Sequence, residues 1–179
     1  MVEWKVLSKK IVLDDPPWLT VEKWDVDCGN GKRIPDYNFV RRGNFTAIVA
    51  ETDDKILFVK QYRVVAKAHI LNLPMGFIDK GETEEECARR EFLEETGYQA
   101  KEMENVGTAY VAASFLSSKM TVFYTKDIQL QGEPTDSGET CELIHIPKSE
   151  IQSLISENKL IDMTSLSALM MAWHKLDLK

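Results

Sequence analysis

Apolar and polar positions alternate over residues 3–13 (EWKVLSKKIVL) and 18–27 (WLTVEKWDVD), which predicts two strands. Asp14-Asp15-Pro16-Pro17 between them is a strong turn signal, and Asn30-Gly31 marks a second turn. Two denser apolar runs, 45–51 (FTAIVAE) and 55–61 (KILFVKQ), flank Thr52-Asp53-Asp54 and predict a hairpin. Residues 105–113, 118–126 and 140–146 read as further strands. Helical spacing recurs at 83–96, 148–158 and 164–176, with Asp162 or Thr164 as the cap of the last. Internal repeats and low-complexity tracts are absent. Strands mixed with a few helices predict an α/β (α+β) chain with a mixed sheet, an α/β/α sandwich rather than a doubly wound parallel sheet.

Composition narrows the function classes. The chain has 179 residues, 44% hydrophobic and 28% charged, enough for one domain with a sizeable core. Its formal net charge is −7, and the basic runs are short, Lys9-Lys10 and Arg41-Arg42. That balance argues against a nucleic-acid partner. It suits a small phosphate ester carried by a metal, because the metal supplies positive charge. No apolar run approaches the length of a membrane span, and no signal peptide is visible. Cys28, Cys87 and Cys141 are odd in number and fit neither a zinc site nor a disulfide framework. Reduced thiols and a cytoplasmic location are the expectation. His69, His145 and His174 are scattered and are read as structural or surface residues.

The chemistry concentrates in residues 76–98, GFIDKGETEEECARREFLEETGY. Thr83 with Glu86 three residues on makes a capping box, and Gly97 fits the left-handed position after a helix. Glu91, Glu94 and Glu95 then share one helix face. Like charges at that spacing destabilise a helix by about 0.2–0.5 kcal/mol per pair. A hard divalent cation with oxygen ligands removes the penalty. Glu84, Glu85 and Glu86 are read instead as ordinary first-turn charge favoured by the helix dipole.

The segment follows G-x5-E-x7-R-E-(bulky)-x-E-E-x-G-(bulky), filled by Gly76, Glu82, Arg90, Glu91, Phe92, Glu94, Glu95, Gly97 and Tyr98. This pattern resembles the Nudix box, with Phe92 where the family usually has an aliphatic residue. The resemblance implies a Nudix α/β/α sandwich and Mg2+- or Mn2+-dependent hydrolysis of a diphosphate linked to another moiety. Outside the box, Gln61-Tyr62-Arg63, Asn72-Leu73-Pro74 and Ile161-Asp162…Ser165-Leu166…Ala168-Leu169 resemble the ADP-ribose pyrophosphatase branch. That likeness implies an N-terminal antiparallel β-hairpin subdomain at 1–42 and a hydrolase domain at 43–179. It also implies a homodimer in which the N-terminal subdomain helps build the nucleobase pocket.

Carried over by resemblance, Glu91 and Glu95 are the principal metal ligands. Glu94, Glu82 and the backbone carbonyl of Met75 complete the set. Arg90 is expected to pair with a box glutamate and fix its orientation. Gly76 permits a close turn, the left-handed conformation included, that a side chain would obstruct. Arg63 is a candidate phosphate clamp, the alternative being a surface arginine at a strand end. Trp18, Trp24 and Tyr37 are candidates for stacking on a base, against a plain packing role. The general base is sought in Glu133–Glu142. Glu139 is the first choice and Asp136 the second, with Glu94 as a further option, because Ser137 stands where some relatives place the base.

The segment Tyr110–Lys119 departs from the branch. Ala113-Ser114 stands where Pro-Gly is expected, and Lys119 lies near an expected acidic position. Tyr110 remains a candidate substrate contact in this segment. The reading is a pyrophosphohydrolase that cleaves a nucleoside diphosphate sugar, ADP-ribose first, to a nucleoside monophosphate and a sugar phosphate. Its rivals are hydrolysis of another diphosphate sugar such as GDP-mannose, nucleoside triphosphate pyrophosphatase activity, and a non-catalytic nucleotide-binding module. The retained box glutamates speak against the last.

Overall fold

The computed structural model describes residues 2–135 and 142–176. Among them, the chain runs β1 (Lys5–Asp15), β2 (Leu19–Asp27), β3 (Arg33–Arg41), β4 (Phe45–Thr52), β5 (Lys55–Arg63), β6 (Ala68–Asn72), β7 (Met75–Phe77) and α1 (Glu84–Thr96). It continues with β8 (Tyr98–Ala100), β9 (Glu104–Tyr110), β10 (Lys119–Thr125), β11 (Ile128–Leu130), β12 (Glu142–Pro147), α2 (Lys148–Ser156), α3 (Met163–Met171) and α4 (Trp173–Leu176). Two compact units are distinguished. One holds residues 2–44 with Tyr110–Lys119, and the other holds Phe45–Ala109 with the described part of 120–179.

In the first unit β1, β2 and β3 form an antiparallel sheet in that order. The expected hairpin is therefore a three-stranded meander. Its third strand carries Pro35 and Asp36, which disguise it in the sequence. Asp36 adopts a positive φ of 57°. Every residue of β1 is exposed, and the strand lies at the sheet edge.

The second unit is built on the alternation of its central strands. The main sheet runs β12-β5-β4-β10-β9, with β6 beside β5 and β7 beside β4. β4 and β10 are parallel, whereas β4–β5, β5–β12, β5–β6 and β4–β7 are antiparallel, so the sheet is mixed. Phe45, Ala47 and Val49 of β4, Ile56 and Phe58 of β5, and Met120, Val122 and Tyr124 of β10 join Ile151, Ala168, Leu169 and Leu176 in one core. The alternate residues Ile48, Ala50, Leu57 and Phe123 meet Ala88 and Phe92 of α1 in a second. Period-two strands buried on both faces thus give the α/β/α layering. The β4–β5 hairpin turns through Asp53 and Asp54 at φ 47° and 62°, as a primed turn requires.

Candidate active site

Helix α1 starts where the sequence places its cap. The Thr83 hydroxyl accepts the Glu86 backbone N–H at 3.2 Å, and the Glu86 carboxylate accepts the Thr83 N–H at 2.8 Å. Gly97 closes the helix at φ 74° and donates its N–H to the Leu93 carbonyl at 2.8 Å. Cys87, Ala88 and Phe92 face the sheet and are buried. Burial pushes the Cys87 thiol up to about 11. The bulky position of the box is therefore a core anchor, which phenylalanine fills.

Arg90 sits among the carboxylates. Its Nε and Nη2 donate to the two oxygens of Glu82 at 2.8 and 2.9 Å, a bidentate fork. Nη1 donates to Glu91 Oε1 at 2.7 Å and to Glu94 Oε2 at 3.2 Å. Nη2 also reaches the Phe77 carbonyl at 3.1 Å. The Arg90 hydrogen bonds hold the Glu82 carboxyl below the ordinary carboxylate range. Burial pushes the Glu91 carboxyl above that range, although Arg90 opposes it. Glu82 partnership in turn holds Arg90 firmly protonated. Asp79, not singled out in the sequence, brings another carboxylate 3.8 Å from Arg90 Nη2. An acidic residue three positions before Glu82 in the loop was the available signal.

Strand β7 forms the opposing wall. The Met75 N–H donates to Glu95 Oε2 at 3.0 Å, and Glu95 is buried. Gly76 pairs with Thr46 of β4 and has no positive φ. Its role is close approach rather than left-handed backbone: a Cβ there would stand 1.9 Å from Glu91 Cδ. The carboxylate of Glu91 fills the space that the missing side chain leaves.

The second unit therefore brings together Met75, Gly76, Glu82, Arg90, Glu91, Glu94 and Glu95. Arg63 ends β5 in the same unit, with its Nε 3.4 Å from Asn72 Oδ1. Trp18 and Tyr110 belong to the first unit and are exposed. Lys119 Nζ lies 4.9 Å from the Tyr110 ring centroid, a cation–π contact. Trp24 stacks on Phe39 at 4.1 Å, and Tyr37 meets Trp4 edge-on at 6.3 Å while its hydroxyl donates to the Ser114 carbonyl, so both rings have aromatic partners. Asp136, Ser137 and Glu139 lie outside the described residues.

The donor chemistry fits a hard divalent cation. It consists of oxygens: Glu82, Glu91 and Glu94 are set around one guanidinium, Glu95 is held by the Met75 N–H, and Gly76 leaves room for the Glu91 carboxylate. Among the described residues no three His, Cys, Asp or Glu side chains converge as an ion cage. Glu82, Glu91 and Glu94 are instead turned onto Arg90.

The NUDIX domain model matches residues 40–165. The chain belongs to the Nudix family. Members of the family generally depend on a divalent metal. The ADP-ribose pyrophosphatase of Bacillus subtilis (strain 168) is 30% identical to this Nudix chain over 141 residues, 77% of the chain and 76% of that protein. The ADP compounds hydrolase NudE of Escherichia coli (strain K12) is 29% identical over 160 residues, 87% of the chain and 86% of that protein. A solved crystal structure of an ADP compounds hydrolase superposes with a TM-score of 0.85 at 26% identity. It covers 97% of this chain and 94% of its own. The Nudix α/β/α sandwich read from the box is the observed fold.

Proposed function

We propose that this Nudix hydrolase cleaves the diphosphate bridge of an ADP-linked sugar, ADP-ribose first, to a nucleoside monophosphate and a sugar phosphate. The observation that carries the reading is the cluster of Glu82, Glu91 and Glu94 around Arg90, with Glu95 of the same helix held by the Met75 N–H of β7. The names of the two relatives, an ADP-ribose pyrophosphatase and an ADP compounds hydrolase, support the substrate class. Held by Glu91, Glu95, Glu94, Glu82 and the Met75 carbonyl, Mg2+ or Mn2+ would neutralise diphosphate oxygens and acidify a bound water.

The protein supplies positioning and proton transfer. Arg90 orients Glu82, Glu91 and Glu94 through the hydrogen bonds already formed, and the Met75 N–H orients Glu95. Arg63 clamps a phosphate, and Trp18 and Tyr110 contact the nucleoside or sugar. Glu139 takes the proton of the attacking water, with Asp136 and Glu94 as the alternatives. The working form is a homodimer in the cytoplasm. The wholly exposed edge strand β1, with Val6, Leu7, Ile11, Val12 and Leu13, supports a partner there, since long apolar edges are normally covered. An acidic net charge of −7 supports a small-molecule substrate over nucleic acid.

A second reading moves the sugar. Ala113, Ser114 and the Lys119–Tyr110 contact depart from the expected pattern, which supports another nucleoside diphosphate sugar. The test is a phosphatase-coupled assay with Mg2+, and again with Mn2+, over ADP-ribose, ADP-glucose, GDP-mannose, UDP-glucose, NADH, diadenosine polyphosphates and nucleoside triphosphates. Preference for ADP-ribose is expected. Preference for another diphosphate sugar retains the mechanism and relocates specificity, while silence across the panel refutes the hydrolase reading for these substrates.

A further inference from the structure

The segment joining β6 to the box is held almost residue by residue. The Leu73 N–H donates to Ser165 Oγ at 2.9 Å, and the Pro74 carbonyl accepts the Ile48 N–H at 2.9 Å. The Met75 N–H donates to Glu95 at 3.0 Å. Gly76 lies under Glu91, and the Phe77 carbonyl accepts from Arg90 at 3.1 Å. Most of these ties come from the sheet or from α1. The Leu73 tie comes from the far layer, the first turn of α3, and has no part in the box motif.

Ser165 and Leu73 are both fully buried. The Ser165 O–H donates to Asp162 Oδ2 at 2.7 Å, which leaves its oxygen lone pairs for the Leu73 N–H. Asp162 Oδ2 also accepts the Ser165 N–H at 2.7 Å, so one carboxylate caps α3 and orients the hydroxyl. Thr164 Oγ1 adds a weaker contact, 3.6 Å to Met75 Sδ. A helix cap needs only the Asp162 bonds. The Ser165–Leu73 bond is additional, and it acts on the backbone two residues before the group that holds Glu95.

We infer that Asp162 and Ser165 are positioning residues of the active site: the oriented Ser165 hydroxyl fixes the 73–76 backbone against Glu95 and Glu91. The inference rests on the proposed metal-dependent hydrolysis at that site. Loss of the hydroxyl frees the Leu73 N–H and lets β7 drift, which misplaces Glu95 and the Met75 carbonyl together. Partners that orient ligands typically matter by about 10- to 100-fold in metal affinity or activity.

The test compares Ser165→Ala with Ala168→Gly, which weakens α3 without touching the Leu73 bond. Mn2+ affinity is read by electron paramagnetic resonance of free Mn2+ with no substrate present, alongside kcat and KM. Ser165→Ala is expected to bind Mn2+ about 10-fold more weakly and to lose kcat in proportion, with KM little changed. Ala168→Gly is expected to stay within about two-fold of the wild type in both, well short of the loss expected when an orienting partner is removed. Equal Mn2+ affinity in Ser165→Ala and wild type, or equal weakening in the two variants, overturns the inference alone. A wild-type protein that neither binds Mn2+ nor hydrolyses the panel overturns the functional reading and this inference with it. Should Ser165→Ala not fold, Asp162→Asn keeps an acceptor for the cap while making the O–H bond weaker. A loss of Mn2+ affinity is expected there too, and an unchanged affinity overturns the inference.

Discussion

Gly76→Ala isolates the close packing of β7 on the box helix. The new Cβ would lie 1.9 Å from Glu91 Cδ, 2.0 Å from Oε1 and 2.3 Å from Oε2. Ordinary carbon contacts begin near about 3.5 Å, so the carboxylate must retreat by well over an ångström. It can do so, because it is the far end of a flexible side chain, but it then gives up the 2.7 Å bond from Arg90 Nη1. Gly76 is in an unstrained strand conformation, so backbone strain adds nothing. Overpacking of this kind costs about 1–3 kcal/mol. Misplacement of a reacting or ligating group by about 1 Å can cost about 100-fold in rate. Thermal melting should therefore show a folded protein with a modestly lowered Tm. Turnover of the best substrate in the panel should fall by about 100-fold. Wild-type turnover in a folded Gly76→Ala protein would refute the role given to this packing, and with it the place given to Glu91.

Glu91→Gln and Glu95→Gln should each lower kcat by about 100-fold or more with melting nearly unchanged, and retained turnover in both would dismiss the metal assignment. Arg90→Ala should destabilise the metal-free protein by about 1–3 kcal/mol near neutral pH, a range discounted for the partial exposure of the guanidinium. Arg90 lowers the folded-state Glu82 carboxyl below its ordinary 4.5, so this contribution is fully present above about pH 4.5 and is lost as pH falls through the folded value. The Tm gap between wild type and Arg90→Ala should accordingly narrow on acidification below that point, and a constant gap would contradict the pairing. Because burial raises the Glu91 carboxyl, its neutral form favours the metal-free fold, a contribution lost as pH rises through the folded value. Mg2+, which needs deprotonated ligands, should raise Tm more near pH 7.5 than near pH 5; a shift equal at both would place the cation elsewhere.

The box was legible because its signals are local. The Thr83 and Gly97 caps, the i, i+3, i+4 carboxylates and the apolar positions between them all fall within one short segment. The β4–β5 hairpin was equally plain, since two aspartates between apolar runs accept positive φ. Boundaries were less so. The helix expected at 164–176 is α3 and α4 with Ala172 between them, and Asp162 is its cap. β3, β6, β7, β8 and β11 are not anticipated by the sequence pattern. Pro35 and Asp36 disguise β3, while β7, β8 and β11 have only three residues each, too few to show an alternation, and partners far along the chain stabilise them. The Ser165–Leu73 bond joins residues 92 apart, and no spacing rule could reveal it. Gly76 was expected to serve a close turn, yet it lies in a strand. The carboxylate that demands a glycine there arrives from another element.

The most direct test of the account is phosphorus NMR of ADP-ribose incubated with the protein and Mg2+, with Glu95→Gln alongside. The diphosphate resonances should give way to two monophosphate resonances, AMP and ribose 5-phosphate, and Glu95→Gln should largely abolish the change. Persistence of the diphosphate, release of orthophosphate or pyrophosphate instead, or undiminished conversion by Glu95→Gln would contradict it.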